Sequence, residues 1–558
     1  MKKNFQITDT IVCVLIVCIG MALYIKTAFF GFTYTDDTHL IVVNNDVLKD
    51  FANLPRLFTQ DVFISYSNTN LYFRPLLNLS FMVDAHYAGI EPGLYHLTNV
   101  ILHIICSLLV FHFFRTFNYS TLFAGFFALV FTVHPLITSA VAWIPGRNDT
   151  LFALFIIPSF LGFKKYAETL SMKAIIFSAL FLFLALLTKE TAIVLPFLCL
   201  MYLRMMCREQ FTLKTLSKPI LCWLAVIGSW WLLRSNVVRE SAVVQMQNNF
   251  SDSFAQNIPA FLIYLGKALF PFDLSVFPDI ADYQMWWGIA SLIVFGLLYL
   301  LIRTTDSSRF TFGIAWFLVF LVPGMITGNI FWEHRAYVPL IGLLFAVSVP
   351  VQLKLVGSVR LKIAVACVAI VILFMLSFKY GESFRDRKSY TTNAMTMSPS
   401  LDDSYIAMAG NLVDHFDYMK AEEVINLGLK KNKNMRSVYK MLGDIHWFFG
   451  DTAKAFDAYR KSIIVDPLNL YAYINYGKFC LDVGRVDQTE ILWKRTVEIN
   501  PEFLLGYYYL ANFYLHEKNE PMIALHYAEE IQKHGAEIMP ELLKDIRSHP
   551  QFKQNNQQ

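Results

Sequence analysis

The sequence has few charged residues, and it lacks the cysteine pairs and Gly-rich nucleotide loops that are typical of many soluble enzymes. Asp, Glu, Lys and Arg make up only 16% of the 558 residues, whereas 56% are hydrophobic and the mean hydropathy is +0.44. The eight cysteines include no CxxC pair, so neither a zinc site nor a disulfide framework is indicated. No Gly-rich nucleotide loop occurs between a strand and a helix. A nucleic-acid-binding protein is also excluded, because it would need a basic face on a soluble fold.

The charge that is present is denser in the C-terminal part. Residues 399–558 contain 40 of the 90 charged residues and have a net charge of −4, whereas residues 1–398 have a net charge of +8. This division predicts an all-α protein with a polytopic membrane body, which includes a first external loop at 31–93. A soluble domain at 399–548 follows the body, and the last residues, 549–558, are predicted to be disordered.

Eleven apolar segments of the body are candidates to cross about 30 Å of hydrocarbon. The first follows Lys2 and Lys3 and lacks a small-residue cleavage site, which predicts a retained anchor. With the N-terminus inside, the cytoplasmic loops hold 15 Lys or Arg in 56 residues, and the opposite loops hold 12 in about 152. An odd number of spans then places the C-terminal domain outside. Leu262–Phe270, interrupted by Lys267, is predicted to be an interfacial helix. The predicted spans are 10–30, 94–114, 121–141, 150–163, 174–188, 191–203, 219–234, 286–302, 310–327, 336–353 and 363–378.

The C-terminal domain repeats with a period of 34 residues. Pro467 and Pro501 are 34 residues apart, as are Gly443 and Gly477. This pattern of small, bulky and proline positions resembles the tetratricopeptide repeat, in which small residues let two antiparallel helices approach each other. Such an array is expected to bind protein or peptide without chemistry of its own. The four predicted repeats, the last shifted by one residue, start near Asp402, Arg436, Leu470 and Leu504.

Charged groups at a membrane are costly unless they face water, a partner or a substrate, so they are the candidate site residues. By the predicted topology, the candidate residues given at the end of this paragraph all emerge on the same side of the membrane. Adjacent carboxylates suit a general base or a metal site. The alternatives are a solvated Asp pair, pairing of the Arg and Asp at 147 and 149 with each other, and interfacial anchoring by the Lys and Glu at 189 and 190. The candidates are Asp36, Asp37, Arg147, Asp149, Lys189, Glu190, Glu333, His334 and Arg335.

Several short strings, in their order along the chain, resemble the GT-C class of membrane glycosyltransferases. With the repeat domain, they resemble in particular the transmembrane and tetratricopeptide repeat-containing O-mannosyltransferases. The sequence departs from that family in its short repeat array and in Gly-Arg-Asn-Asp where Gly-Arg-Ala-Asp is expected, so a bacterial relative with another sugar or acceptor is an open alternative. The strings are Tyr34-Thr35-Asp36-Asp37, Asn44-Asn45, Phe73-Arg74-Pro75-Leu76, Tyr95-His96-Leu97-Thr98-Asn99, His134-Pro135, Gly146-Arg147-Asn148-Asp149, Lys189-Glu190 and Glu333 to Pro339.

The resemblance implies transfer of a sugar, mannose or another hexose, from a polyprenyl-phosphate carrier to a hydroxyl acceptor on the non-cytoplasmic face, with inversion at the anomeric carbon. It implies that the first acidic residue of the loop, Asp36, is the base, although the residues alone leave Asp36 and Asp37 as alternatives. The resemblance also implies that the acceptor is a protein and that the repeats bind it. A divalent cation at the Asp pair is possible in relatives but is not expected here. Candidate donors to the departing phosphate are Arg147, Lys189, His334 and Arg335, with Arg74 behind them.

Two other readings stay open at this stage. One is a transferase that modifies a glycolipid or polysaccharide, with the repeats recruiting assembly partners. The other is a non-catalytic scaffold or transporter with a protein-docking tail, although no internal duplication of broken spans is visible. The host membrane is expected to be the bacterial inner (plasma) membrane or, alternatively, that of the endoplasmic reticulum, with the repeats in the periplasm or lumen.

Overall fold

The structure is a computed structural model that describes residues 8–64, 72–238, 250–325, 331–354, 359–432, 435, 438–534 and 539–555. Lys2, Lys3 and Arg436, which entered the predictions above, lie outside these residues. The chain divides into two compact units, 1–398 and 399–558, at the predicted boundary. The secondary structure of the described residues consists of helices without β-strands, so the all-α prediction is confirmed.

The first unit is built from long apolar helices joined by short turns. Most are predominantly Leu, Ile, Val and Phe, and their backbone polar groups are satisfied within the helix, as a lipid environment demands. Its α-helices are Asp9–Tyr24, Asn45–Leu48, Pro75–Ala88, Pro92–Thr116, Thr121–Thr132, Ser139–Ala142, Arg147–Thr169, Met172–Leu186, Leu195–Met206, Leu213–Ser235, Phe250–Leu269, Trp286–Ile302, Ser307–Leu321, Tyr337–Lys354, Val359–Gly381 and Arg387–Met397.

Each predicted span coincides with a helix or a pair of helices, but the number eleven is not confirmed. Seven described helices are long and apolar enough to cross a membrane, and the bent pair Thr121–Thr132 and Pro135–Ala142, with 50° between its parts, would make eight. Met172–Leu186 and Trp286–Ile302 are apolar but shorter, and the segment predicted at 191–203 contains only the 12-residue helix Leu195–Met206. The side of the membrane on which the second unit lies depends on this number and therefore stays a prediction.

The exposed faces of these helices are those of a multi-pass membrane protein. On Val359–Gly381, for example, Val365 and Met375 are 62% and 66% exposed. Trp286–Ile302 likewise presents Ile293 and Leu297 outward. Water would make such a continuous apolar surface unfavourable, whereas lipid chains cover it without cost.

The segment predicted as a short interfacial helix is longer and more deeply packed than expected. The helix runs over Phe250–Leu269, so it begins 12 residues before the predicted start at Leu262 and contains Pro259. Lys267, read from the sequence as an interruption of an apolar run, is buried and forms an ion pair with Glu333. A lysine inside an apolar stretch is tolerated here because a carboxylate from another helix neutralises it.

The second unit consists of antiparallel helix pairs. The first helices of the first, third and fourth pairs begin at Asp402, Leu470 and Leu504, as the repeat period predicts. The last predicted repeat is shifted by one residue, and accordingly Ala524 rather than Ile523 is buried against the partner helix. The helices are Asp402–Asp414, Tyr418–Lys431, Val438–Phe448, Thr452–Val465, Leu470–Asp482, Val486–Ile499, Leu504–His516, Pro521–Lys533, Pro540–Ser548 and Pro550–Asn555.

Small residues bring the two helices of each pair together. A Cβ atom added at Gly477 would lie 2.2 Å from Trp493 Nε1, so this position accepts only glycine without a shift of the indole. Trp493 is buried and donates from Nε1 to the carbonyl oxygen of Ile474 at 3.1 Å. The prediction of disorder at 549–558 is wrong for part of that segment, because Pro550–Asn555 is a helix whose Phe552 packs against the core of the last pairs.

Candidate active site

The first unit contains a cavity of about 530 Å³ that collects most of the candidate residues. Seven of the ten predicted site residues line it, and they come from five separate parts of the chain. Its charged and histidine lining residues are Asp36, Arg74, Asp149, Lys189, Glu190, Arg234, His334 and Arg335, and its aromatic lining residues include Tyr72, Trp143, Trp230, Trp231 and Trp332. The prediction that ionisable groups from separate helices share one hollow therefore agrees with this geometry.

Breaks between helices place these side chains at the cavity. Lys189 has extended backbone before the 3₁₀ turn Glu190–Val194, and His334 and Arg335 belong to the 3₁₀ turn Glu333–Ala336. The 3₁₀ turn Ile144–Gly146 precedes the helix that carries Asn148 and Asp149. At these 3₁₀ turns the α-helix is interrupted, and the side chains of the turn reach the cavity.

Gly146 sets the position of the helix that begins at Arg147. A Cβ atom at Gly146 would lie 2.4 Å from the carbonyl oxygen of Ser139 and 2.8 Å from Ala140 Cα. Because backbone atoms cannot move aside as a flexible side chain can, this close approach requires glycine. The first residue of the Gly-Arg-Asn-Asp string thus brings Asn148 and Asp149 to the cavity.

The two adjacent aspartates have different surroundings. Asp37 is buried and accepts hydrogen bonds from the backbone N–H groups of Thr33 (2.6 Å) and Thr35 (2.7 Å), and from the Thr33 hydroxyl (3.0 Å). These bonds shape the loop, in which Tyr34 has a left-handed φ of +56°. Asp36 instead lines the cavity and is exposed to it. Of the two alternatives left by the sequence, Asp36 is the carboxylate that a molecule in the cavity can reach.

The surroundings of Asp36 alter its protonation. Crowding by protein atoms, which reduces its hydration, and the neighbouring charge of Asp37 raise the pKa of Asp36 to about 6, against a smaller lowering by Arg74. A carboxylate with a pKa near the working pH is a stronger proton acceptor than an ordinary aspartate and is still ionised at pH 7. These are the properties of a general base.

Two ion pairs belong to the wall of the same cavity as Asp36. Lys189 Nζ donates to Asp149 Oδ1 at 2.7 Å, and His334 Nε2 lies 4.0 Å from the other oxygen of Asp149. Arg74 Nη2 and Nε donate to Glu190 Oε2 at 3.0 and 3.2 Å. The alternative that Lys189 and Glu190 are only interfacial anchors does not agree with these contacts, because both side chains point into the protein and pair with other segments.

Further contacts orient the cationic groups. With its side-chain amide placed to satisfy both neighbours, Asn148 accepts from Arg74 Nη1 at 3.1 Å and donates to the carbonyl oxygen of Thr188 at 3.0 Å. Arg335 Nη1 donates to the carbonyl oxygen of Gly324 at 2.7 Å. Burial lowers the pKa of Lys189, and the charge of Asp149 acts in the opposite direction. The cavity thus contains oriented donors and an accessible carboxylate.

Arg147, Asp37 and Glu333 do not line the cavity. Arg147 is fully buried and forms an ion pair with Asp84 at 2.5 Å, so the alternative that it pairs with Asp149 is wrong. Glu333 pairs with Lys267 and accepts from the Tyr380 hydroxyl at 2.8 Å. The predicted contact of Arg147 with the donor phosphate is not supported by this placement, because its N–H groups are directed to protein acceptors.

Sequence reasoning missed several cavity residues. Trp230, Trp231 and Arg234 lie at the end of the helix Leu213–Ser235, and Trp332 stacks on Trp143 with ring centroids 5.9 Å apart. The sequence could have identified Arg234, because it ends the predicted span 219–234 on the side of the membrane where the other candidates are predicted to lie. Outside the cavity, the ion pairs of Asp84 with Arg147 and of Lys267 with Glu333 were not predicted, because the partners are distant in sequence.

No group of three or more His, Cys, Asp and Glu side chains in the described part of the chain is arranged to hold a metal ion. The expectation that no divalent cation takes part is a separate matter and stays a prediction.

No protein-family model matches the chain. Curated relatives are protein O-mannosyl-transferases: Tmtc1 of Drosophila melanogaster is 33% identical over 183 residues, which are 32% of this chain and 21% of that protein. TMTC2 of Homo sapiens is 35% identical over 157 residues, or 27% of this chain and 18% of the relative, and TMTC3 of Mus musculus is 30% identical over 219 residues, or 38% and 23%. The chain therefore spans about a fifth of the length of these relatives. The resemblance read from the sequence motifs is confirmed.

Solved structures that are similar include MamA, with a TM-score of 0.23 and 14% identity over 32% of this chain and 96% of that chain. A chain of the APC/C hetero-tetramer Cut9–Hcn1 has a TM-score of 0.20 and 12% identity, over 88% of this chain and 91% of that chain.

Proposed function

We propose that this protein is a glycosyltransferase that moves a sugar, in the first instance mannose, from a polyprenyl-phosphate carrier to a hydroxyl group on protein. The observation that supports the proposal is the cavity that the accessible carboxylate of Asp36 shares with oriented cationic groups. The relatives are named protein O-mannosyl-transferases, which supports mannose as the sugar and protein as the acceptor. The reaction takes place on the non-cytoplasmic side of a bacterial plasma membrane or of the endoplasmic reticulum.

The reaction is a single displacement with inversion. The acceptor oxygen attacks the anomeric carbon of the sugar while the bond from that carbon to the phosphate oxygen breaks. Asp36 takes the proton of the acceptor hydroxyl, and the bonding electrons leave with the polyprenyl phosphate. The raised pKa of Asp36 supports this role, because the carboxylate is ionised at pH 7 and accepts a proton readily. Asp37 holds the loop and does not contact the substrates.

The cationic groups stabilise the charge that develops on the departing phosphate. Lys189, His334 and Arg335 line the same cavity as Asp36, and Lys189 is fixed by its ion pair with Asp149. Donors that are oriented before the reaction stabilise a developing anion without reorganisation. Arg74 contributes its charge from within its pair with Glu190.

The repeats bind the acceptor protein or a partner that delivers it. Helix pairs stacked with a 34-residue period form an extended surface suited to polypeptides. The unit brings no chemistry of its own to the reaction, so its loss should impair transfer to protein more than transfer to a small soluble acceptor.

The test is sugar transfer from a polyprenyl-phosphate mannose donor in membranes that contain the full chain. Asp36→Asn should abolish transfer to protein while leaving the amount of inserted protein unchanged. Asp46→Asn is the matched control, because Asp46 lies in the same external loop and its side chain is 89% exposed. Undiminished transfer by Asp36→Asn would overturn the assignment of the base. Transfer that appears only in a lipid or polysaccharide fraction would overturn the protein acceptor.

A further inference from the structure

The helix Leu213–Ser235 brings an arginine and two tryptophans to the cavity. Trp230, Trp231 and Arg234 all line it. The guanidinium carbon of Arg234 lies 5.7 Å from the ring centroid of Trp230 and 5.8 Å from that of Trp231. Both distances are within the range of cation–π contacts, so the indoles hold the guanidinium without neutralising its charge.

Two polar atoms of this cluster have no hydrogen-bond partner within the part of the chain that the structure describes. They are Trp230 Nε1 and Arg234 Nε. Trp230 is only 3% exposed, and a buried indole N–H normally finds an acceptor. Both atoms are donors, so a ligand that satisfied them would have to present an acceptor.

The charge of Arg234 also differs from that of the cations beside it. Arg74 and Lys189 are paired with Glu190 and Asp149. Arg234 forms no ion pair with a carboxylate of the described residues: its guanidinium contacts the two indoles, and Glu190, which is already paired with Arg74, acts on it only through its charge. A guanidinium held by aromatic rings in a cavity, with a neighbouring N–H donor, has the donor arrangement that an oxyanion such as phosphate requires.

The same helix borders the lipid. Leu221, Leu224 and Leu232 are each at least 64% exposed, and only 17% of the most apolar part of the helix is buried. Trp231 lines the cavity and is itself 54% exposed. One residue thus adjoins both the polar cavity and the lipid-facing surface. A ligand with a phosphate and a long apolar chain could keep its phosphate at Arg234 and its chain in the membrane.

We infer that Arg234, Trp230 and Trp231, together with the cations of the same cavity named above, form the binding site for the phosphate of an isoprenoid-lipid monophosphate. The phosphate accepts from the guanidinium of Arg234 and from Trp230 Nε1, and the first apolar units of the lipid lie against Trp231. The inference rests on the proposed function, because it takes the donor lipid of that reaction as the ligand. It assigns the phosphate to a helix that none of the sequence motifs included.

The experiment measures binding of a sugar-free polyprenyl monophosphate to the purified full chain. Arg234→Gln should weaken binding roughly 10- to 100-fold, because a charged hydrogen-bond donor is lost. Trp230→Phe keeps the ring and removes the N–H, and should weaken binding by roughly 3- to 10-fold. Arg204→Gln is the matched control, since Arg204 is an exposed arginine outside the cavity lining, and it should bind as the unchanged chain does.

Two further ligands identify what the site recognises. The unphosphorylated polyprenol should bind equally weakly to the unchanged chain and to Arg234→Gln, because it has no anion for the arginine. Inorganic phosphate should bind far more weakly than the lipid monophosphate. If inorganic phosphate binds as tightly as the lipid and depends equally on Arg234, the lipid assignment is overturned. If Arg234→Gln, shown to be folded by its melting temperature, binds the lipid monophosphate normally, the whole inference is overturned.

Asp36→Asn separates this inference from the proposed function. It should still bind the lipid monophosphate, since Asp36 is assigned to the acceptor, while it no longer transfers sugar. Loss of binding in Arg234→Gln together with full transfer by Asp36→Asn would remove the proposed base and keep the phosphate site. Normal binding by Arg234→Gln together with inactive Asp36→Asn would do the reverse.

Discussion

Arg147 and Asp84 form an ion pair in the interior of the membrane body, with Arg147 Nη2 lying 2.5 Å from Asp84 Oδ2. Arg147 also donates from Nε to Asn99 Oδ1 and from Nη2 to the carbonyl oxygen of Tyr95, both at 2.7 Å. The arginine of the Gly-Arg-Asn-Asp string therefore ties three helices together, while the next two residues, Asn148 and Asp149, reach the cavity.

Removing this arginine should affect stability first. Arg147→Gln leaves the carboxylate of Asp84 buried without its cation, and we expect the free energy of unfolding to fall by about 3–5 kcal/mol. The measurement is the melting temperature of the purified protein in detergent. Arg115→Gln is the control: Arg115 pairs with Asp9 at a half-exposed position, where loss of the pair should cost about 1 kcal/mol or less. Normal stability of Arg147→Gln with lost donor binding would instead assign Arg147 to the substrate.

The pH dependence of transfer should report the pKa of Asp36. A general base must be ionised, so activity is present above its pKa and is lost as the pH falls through about 6. At pH 5, kcat/KM should be roughly a tenth of its plateau, since about that fraction of a carboxyl group with this pKa is ionised. Preincubation at pH 5 followed by assay at pH 7 controls for irreversible damage. A profile that is flat down to pH 4.5 would contradict the assignment.

Asp37 should influence the same profile from outside the cavity. Its charge is the second cause, after the loss of hydration, of the raised pKa of Asp36. Thr33 and Thr35 donate to different oxygens of Asp37, so Asp37→Asn keeps an acceptor for one of these N–H groups and removes the charge. The acid limb of the profile should therefore move to lower pH. The position of the limb, not the height of the plateau, is the quantity to measure. A limb that stays at its original pH would show that the two carboxylates do not interact.

The close contact between Gly477 and Trp493 predicts a local effect in the repeats. Gly477→Ala forces the indole out of its place, because the new Cβ would lie 2.2 Å from Trp493 Nε1, and we expect a loss of about 1–3 kcal/mol in the stability of the repeat unit. Gly296→Ala is the control in the membrane body, where a Cβ would meet nothing within 4 Å. Limited proteolysis of each variant measures the stability of the two units, because the fragment pattern shows which unit is cleaved. Unchanged resistance of Gly477→Ala would contradict the packing described above.

The local pattern of the sequence determined the division of the chain and the class of both units. Charge density separates a lipid-compatible part from a soluble part, and the 34-residue period places the starts of helix pairs such as Leu470–Asp482 and Leu504–His516. These features are readable because hydropathy and helix pairing depend on residues that are close in sequence. The number of spans is harder to predict from the sequence, because apolar helices such as Met172–Leu186 are shorter than a helix that crosses the membrane alone.

The partners of the charged residues were decided by the tertiary structure alone. Nothing local indicates that Arg147 pairs with Asp84, 63 positions earlier, or that Lys267 pairs with Glu333. The two adjacent aspartates are chemically the same in sequence, and only the fold buries Asp37 among the N–H groups of its loop and turns Asp36 to the cavity. Ion pairing and access to a cavity depend on the distances between helices. The periodicity of a helix in the sequence does not determine those distances.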